Sequence, residues 1–176
     1  MMLDRLRPGR ARIGSARKLY EMVVPQARLQ ALYAVMGAPD TVEGRFELLT
    51  LHVILLLDRL RDLGRHHSEL RQAVFDAYLS DLDGALREMG VGDLTVGKRM
   101  KALGGAFYGR AKAYDEAFKA LPDENALRDL IARTILQSAP ADATALAAYV
   151  LRCRGALGAC AESDLLVTCS PSWPAS

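Results

Sequence analysis

Apolar residues recur along this chain at steps of three and four almost everywhere, and no segment alternates apolar and polar residues between turn signals. That period belongs to helices, so the pattern predicts an all-α protein. A first helix is expected from Ser15 to Val23, kinked or restarted at Pro25, with a second stretch running to Met36 and ended by Gly37 and Pro39. Asp40-Thr41-Val42-Glu43 has the spacing of a capping box, with the Asp40 carboxylate as cap and Glu43 reaching back. The helix it opens is expected to reach Gly64. Its segment LLTLHVILLL, residues 48 to 57, is apolar nearly all round, which predicts the central buried helix.

Ser68 is placed as the cap of a fourth helix ending at Met89, before the turn Gly90-Val91-Gly92-Asp93, and Thr95 as the cap of a fifth. On a wheel of 100° per residue, Met100, Leu103, Phe107, Ala111, Tyr114, Phe118 and Leu121 fall within about 60° of one line, a core stripe some six turns long. Pro122 and Asp123 open a sixth helix to Gln137. Pro140 to Asp142 open a seventh through Leu157, and the tail from Glu162, with Pro171 and Pro174, reads as irregular. The organisation expected is a basic flexible arm over residues 1–14, a helical domain of about seven helices over 15–160, and a C-terminal tail over 161–176.

A length of 176 residues with 51% hydrophobic and 25% charged residues suits one globular domain. The net charge of +2 is unevenly spread. Residues 1 to 18 hold Arg5, Arg7, Arg10, Arg12, Arg17 and Lys18 against Asp4, a local excess that suits nucleic acid, a ribosome, anionic lipid or plain solvent. The apolar run at 48 to 57 falls short of the ~18 residues of a membrane span, so the chain is expected to be soluble or to lie on a membrane. Cys153, Cys160 and Cys169 lack a paired spacing and are expected as free thiols of a reducing compartment.

Candidate chemistry is sparse. The stretch GDLTVGKR, residues 92 to 99, is one letter from the P-loop G-x-x-x-x-G-K-[ST], but Arg99 stands where the Mg²⁺-binding hydroxyl belongs and a helical pattern precedes it in place of a strand. No nucleotide is expected there. His52 lies in the apolar helix, and His66-His67 sits in a polar turn without a second ligand pair, so no metal is expected. Asp76, Asp81, Asp83 and Glu88 are spread around a helix axis, and no Ser or Cys has a nucleophile setting such as G-x-S-x-G. Lys98, Lys101, Lys112 and Lys119 form an outer face on the fifth helix, roughly 100° to 160° from the core stripe, with Gly105 and Gly109 between them and Tyr108 at the edge. Glycine in an exposed helix costs about 1 kcal/mol relative to alanine, so this pair suggests close approach by a partner helix, the alternative being a solvated lysine face whose glycines are accidental or face a neighbouring helix of the same domain.

The stretches VVPQARLQALY, GAPDTVEGRFELLTLHVILLL and FDAYLSDLDGALREMGVGDLTVGKRMKALGGAFYGRAKAY resemble the ubiquinol-cytochrome c chaperone family. The likeness covers roughly residues 15 to 120, with D-T-V-E-G-R-F and R-E-M-G-V-G-D-L its specific parts, and no clear match is seen beyond about 140. Gln30 and Gly97 stand where the family pattern has proline, which loosens the expected placement of Lys98 and Arg99. The resemblance implies a non-enzymatic, all-helical assembly chaperone for the bc1 complex. Its client would be cytochrome b, with a ribosome or an anionic membrane surface as further partners, and its place would be cytoplasmic and peripheral at the inner membrane. No catalytic residue, cofactor or small-molecule substrate comes with it. The family motif falls on Asp40, Glu43, Arg45, Asp93, Lys98, Arg99, Lys101, Tyr108, Gly109 and Arg110, which with Gly105 and Lys112 are the expected partner-binding residues. The other reading is an RNA- or ribosome-binding helical module acting through the basic arm and the lysine face, and the scarcity of aromatics beside those charges weighs against it.

Overall fold

The apolar run at 48 to 57 becomes the middle of helix α3 (Val42–Asp62), in which residues 50 to 56 are buried all round the axis. Burying a leucine fully is worth about 1.5–3 kcal/mol, so a helix with this many is stable only at the centre of a bundle. Around it stand α1 (Arg7–Ala27), α4 (Ser68–Glu88), α5 (Asp93–Lys119) and α7 (Thr144–Ala159), all packed against α3. The short helices α2 (Gln30–Ala34) and α6 (Asn125–Ile131) complete the set, and the described residues contain no strand. This computed structural model describes the backbone of residues 7–168 and 173, and the side chains of residues 13–166 and 173. The all-α expectation and its buried central helix are both realised. No helix among the described residues is long and apolar enough to cross a membrane.

Several boundaries differ from the sequence reading. Helix α1 begins at Arg7 rather than Ser15, so part of the basic arm is helical, while residues 1 to 6 lie outside the described residues. Pro25 sits inside α1 without ending it, and the break comes after it, where Arg28 and Leu29 donate tighter bonds to the Pro25 and Gln26 carbonyls. Burial of Val23 and Ala27 on either side offsets the hydrogen bond that proline forfeits. The cap of α3 is Thr41 and not Asp40: its hydroxyl accepts from the Gly44 N–H at 3.1 Å, while Asp40 is taken up by Arg45. A side chain at position 44 would meet the Pro39 carbonyl oxygen at 2.0 Å, so the chain can enter α3 this tightly only past a glycine.

Ser68 is the first residue of α4 rather than its cap, because the 3-10 turn Arg65–His67 runs directly into the helix. Helix α5 likewise starts at Asp93 behind Gly92, which leaves Thr95 inside the first turn. Between α4 and α5, Gly90 at φ 78° lets Val91 bond back to the Leu86 carbonyl and Gly90 to that of Arg87. This closure of a helix end favours glycine, as read from the sequence. Helix α6 continues as a π-helical segment, Ala132–Leu136, to the left-handed Gln137. The tail is less irregular than expected: Asp164–Thr168 forms another π-helical turn, Leu165 is fully buried, and Trp173 packs against the core.

Candidate functional site

The core stripe of α5 is in place, with Phe107, Tyr114 and Phe118 buried and Met100, Leu103, Ala111 and Leu121 half-buried. Phe107 lies 4.7 Å from Phe75 and 5.4 Å from Tyr78, ring centre to ring centre, which joins α5 to α4. Arg110 adds a forked ion pair to Glu47 of α3, at 2.9 and 2.8 Å. Both cavities that flank this junction use α4 and α5.

The first is an apolar groove of about 410 Å³ with walls from α1, α3, α4 and α5. Its floor follows from helical spacing: Phe46 and Leu49 are three apart on α3, and Leu82 and Leu86 four apart on α4, with Val24, Tyr33 and Leu103 beside them. All seven are half-exposed, and Val42 and Met89 at the edges are 60% and 56% exposed. Side chains of this kind gain by being covered, and a contiguous set of them marks an interaction surface. Charged groups ring the groove. Arg45 is paired with Asp40 at 2.6 Å, a contact that holds the Asp40 carboxyl below its ordinary range, and Asp81 accepts the Tyr20 hydroxyl at 2.6 Å. Arg28 and Arg99 form no ion pair among the described residues and share the rim with the carboxylates of Glu43 and Asp81, so it presents both signs of charge. The second cavity, about 370 Å³, is lined by Phe75, Phe107, Tyr108 and Phe118 and floored by Arg61, which is ion-paired to Asp58 and, at 3.0 Å, to Asp115.

The expected partner-binding residues therefore divide. Glu43, Arg45 and Arg99 stand on the apolar groove, and Tyr108, 62% exposed, on the second cavity. Lys98, Lys101, Lys112, Gly105 and Gly109 share the exposed face of α5, where a Cβ at either glycine would meet nothing within 4 Å. That removes the close-neighbour explanation for the glycines. Asp40, Asp93 and Arg110 are engaged within the chain, with Arg45, Arg87 and Glu47 respectively. The sequence reading missed the groove floor because half-exposure of Leu82 or Leu86 depends on which helices stand beside α4, and the periodic pattern is the same for a covered and an uncovered apolar face.

GDLTVGKR lies across the start of α5, with helix on both sides of the turn, as expected. Asp76, Asp81 and Asp83 have separate partners in Gln72, Tyr20 and Arg87. His52 is fully buried, bonded through Nδ1 to the Leu48 carbonyl at 2.7 Å and through Nε2 to the Tyr149 hydroxyl at 2.8 Å, which also accepts from Gln26. Desolvation pushes His52 down to about 4, so it is a neutral part of the core. Cys153 is buried and its thiol is pushed up to about 11 by desolvation; Cys160 is half-buried and free, and Cys169 lies outside the described residues. His66 and His67 are joined by Glu162, a residue that sequence spacing gave no reason to connect with them.

A sequence profile of the ubiquinol-cytochrome C chaperone family matches residues 34–173. The match thus extends well past residue 140, where the resemblance had faded. The ubiquinol-cytochrome c reductase complex assembly factor 1 of Mus musculus is 25% identical over 162 residues, and that of Homo sapiens 26%. Each alignment takes in 90% of this chain and 54% of the relative, so the chain spans about half the length of those proteins. The crystal structure of the Cbp3 homolog from Brucella abortus superposes with a TM-score of 0.81 at 37% identity, over 94% of this chain and 93% of that one.

Proposed function

The chain belongs to the ubiquinol-cytochrome c chaperone family, and we propose that it is a non-catalytic assembly chaperone for the ubiquinol-cytochrome c reductase complex, with cytochrome b as client. The observation that carries the reading is the apolar groove between α1, α3, α4 and α5, whose half-exposed floor is complementary to an apolar segment of an unassembled membrane protein. Arg28 and Arg99 at its rim would pair with carboxylates flanking such a segment, and Glu43 and Asp81 with its Lys or Arg. On this reading the chaperone works at the cytoplasmic face of the inner membrane, and Lys98, Lys101 and Lys112 on the opposite side of α5 meet anionic headgroups.

Photo-crosslinking in the native organism tests both surfaces. A crosslinker at Leu86 or Met89 should capture cytochrome b, and one at Lys101 should not. Capture of ribosomal RNA at Lys101, with none of cytochrome b at the groove, would favour the RNA-binding reading and overturn this one.

A further inference from the structure

We propose that His66, His67 and Glu162 form a binding site for a divalent transition-metal ion of the Zn²⁺ class. The two imidazoles come from the 3-10 turn Arg65–His67 that follows α3, and the carboxylate from the segment after α7. Their ligand atoms lie within 4.8 Å of one another. Glu162 Oε1 is 3.0 Å from His67 Nε2 and 3.7 Å from His66 Nε2. A tetrahedral ion with arms of about 2.0–2.2 Å sets its ligands roughly 3.3–3.6 Å apart, so the two carboxylate–imidazole separations bracket the required edge, and rotation of the exposed His66 ring brings the two imidazole nitrogens to it.

The turn is shaped for this arrangement. Gly64, at φ 119°, precedes it, and a side chain there would come within 3.0 Å of the His66 ring. That glycine leaves room for His66 to fold back beside His67, and the two ring centres are 4.0 Å apart. His67 is 8% exposed and fixed, whereas His66 and Glu162 face solvent, so an ion has a rigid first ligand and an open approach. Two imidazole nitrogens with one carboxylate suit Zn²⁺, Ni²⁺, Cu²⁺ or Co²⁺, and do not suit Ca²⁺ or Mg²⁺, which require oxygen donors. Three protein ligands leave a fourth position for water or for a donor from a partner. The ion would also fasten the segment after α7, whose Cys160 carbonyl already accepts from the Arg59 guanidinium at 2.7 Å and which buries Leu165.

The test uses the full chain without an affinity tag, stripped with chelator and titrated with ZnCl₂ by calorimetry, with CoCl₂ as optical probe. One equivalent should bind, Co²⁺ should show the intense visible bands of a tetrahedral site, and Tm should rise on loading. Glu162→Gln, a conservative change at an exposed position, should weaken binding at least tenfold and abolish the Tm rise, and His67→Ala should do the same. Cys160→Ser should change neither. Absence of binding at micromolar Zn²⁺, or binding that survives Glu162→Gln or is lost in Cys160→Ser, would overturn the proposal.

Discussion

The α3–α7 side of the bundle and the α4–α5 side use similar residues to opposite ends. Between the middles of α3 and α7 the core is filled: His52, Tyr149, Gln26 and Leu48 satisfy one another's polar groups, the Trp173 ring lies 5.7 Å from His52, and the cavity that remains farther along, about 390 Å³, is edged by the charged Asp58, Arg59, Asp62 and Arg154. Between α4 and α5 the core narrows to the ring cluster around Phe107; on one side apolar side chains stand half-uncovered in the groove, and on the other a second cavity opens beside the exposed Tyr108. One side spends its apolar surface on itself. The other leaves part of it uncovered, and on the proposed function that asymmetry, more than any single residue, separates scaffold from working surface.

The sharpest way to break the comparison is Phe107→Ala. Phe107 is 3% exposed at the narrow point of the α4–α5 side, and the change should cost about 3–5 kcal/mol in urea unfolding. A loss below about 1 kcal/mol would show that α4 and α5 are held by other contacts. On the filled side the corresponding effect comes from pH. His52 titrates near 4 in the fold and near its ordinary 6.5 when unfolded, so the unfolded chain binds the extra proton first. Its stabilising effect is complete above pH 6.5 and is lost as pH falls toward 4, by about 3 kcal/mol. His52→Gln should flatten that part of the stability profile.

A smaller effect sharpens the contrast on α5. Gly105→Ala and Gly109→Ala place methyl groups in open space on an exposed helix, and each should stabilise the fold by about 1 kcal/mol. If that face is also a docking surface, the stabler double variant should support less reductase assembly. Unchanged assembly would make the two glycines accidents of sequence. Smallest of all in stability is Lys98, Lys101 and Lys112 to Glu, at under about 0.5 kcal/mol each. Association with anionic vesicles should nevertheless disappear, since each lysine near such a surface contributes about 1 kcal/mol.

How much of this was legible in the chain follows the same division. The buried run of α3, the stripe of α5 and the Gly90 closure were readable, because each is fixed by local period or by a backbone angle that few residues accept. The caps at Thr41 and Gly92 were missed by one to three residues, since Asp40, Thr41, Ser68 and Thr95 are all competent and only the entry path of the chain selects among them. The groove floor and the His66, His67 and Glu162 group could not be read, because each depends on elements brought together across long stretches of sequence.

The Arg110–Glu47 fork has a mechanical consequence. It clamps α5 to the bundle at mid-length, and from Phe107 onward the helix is held by aromatic packing as well. The turns before it bury only Val96 fully, with Met100 and Leu103 half-buried, Leu94 97% exposed and the start tied to α4 by the Gly90 turn and the Arg87–Asp93 pair, so some 26 Å of helix from Arg110 back to Asp93 is packed more lightly than the rest. Amide protons should therefore exchange faster along residues 93 to 104 than along 107 to 118, and a partner gripping the tip would damp that gradient without moving the bundle. Bending stiffness, set by the fork and the ring cluster at one end and the Arg87–Asp93 pair at the other, would then govern how readily the groove edge at Arg99 and Leu103 adjusts to what it holds.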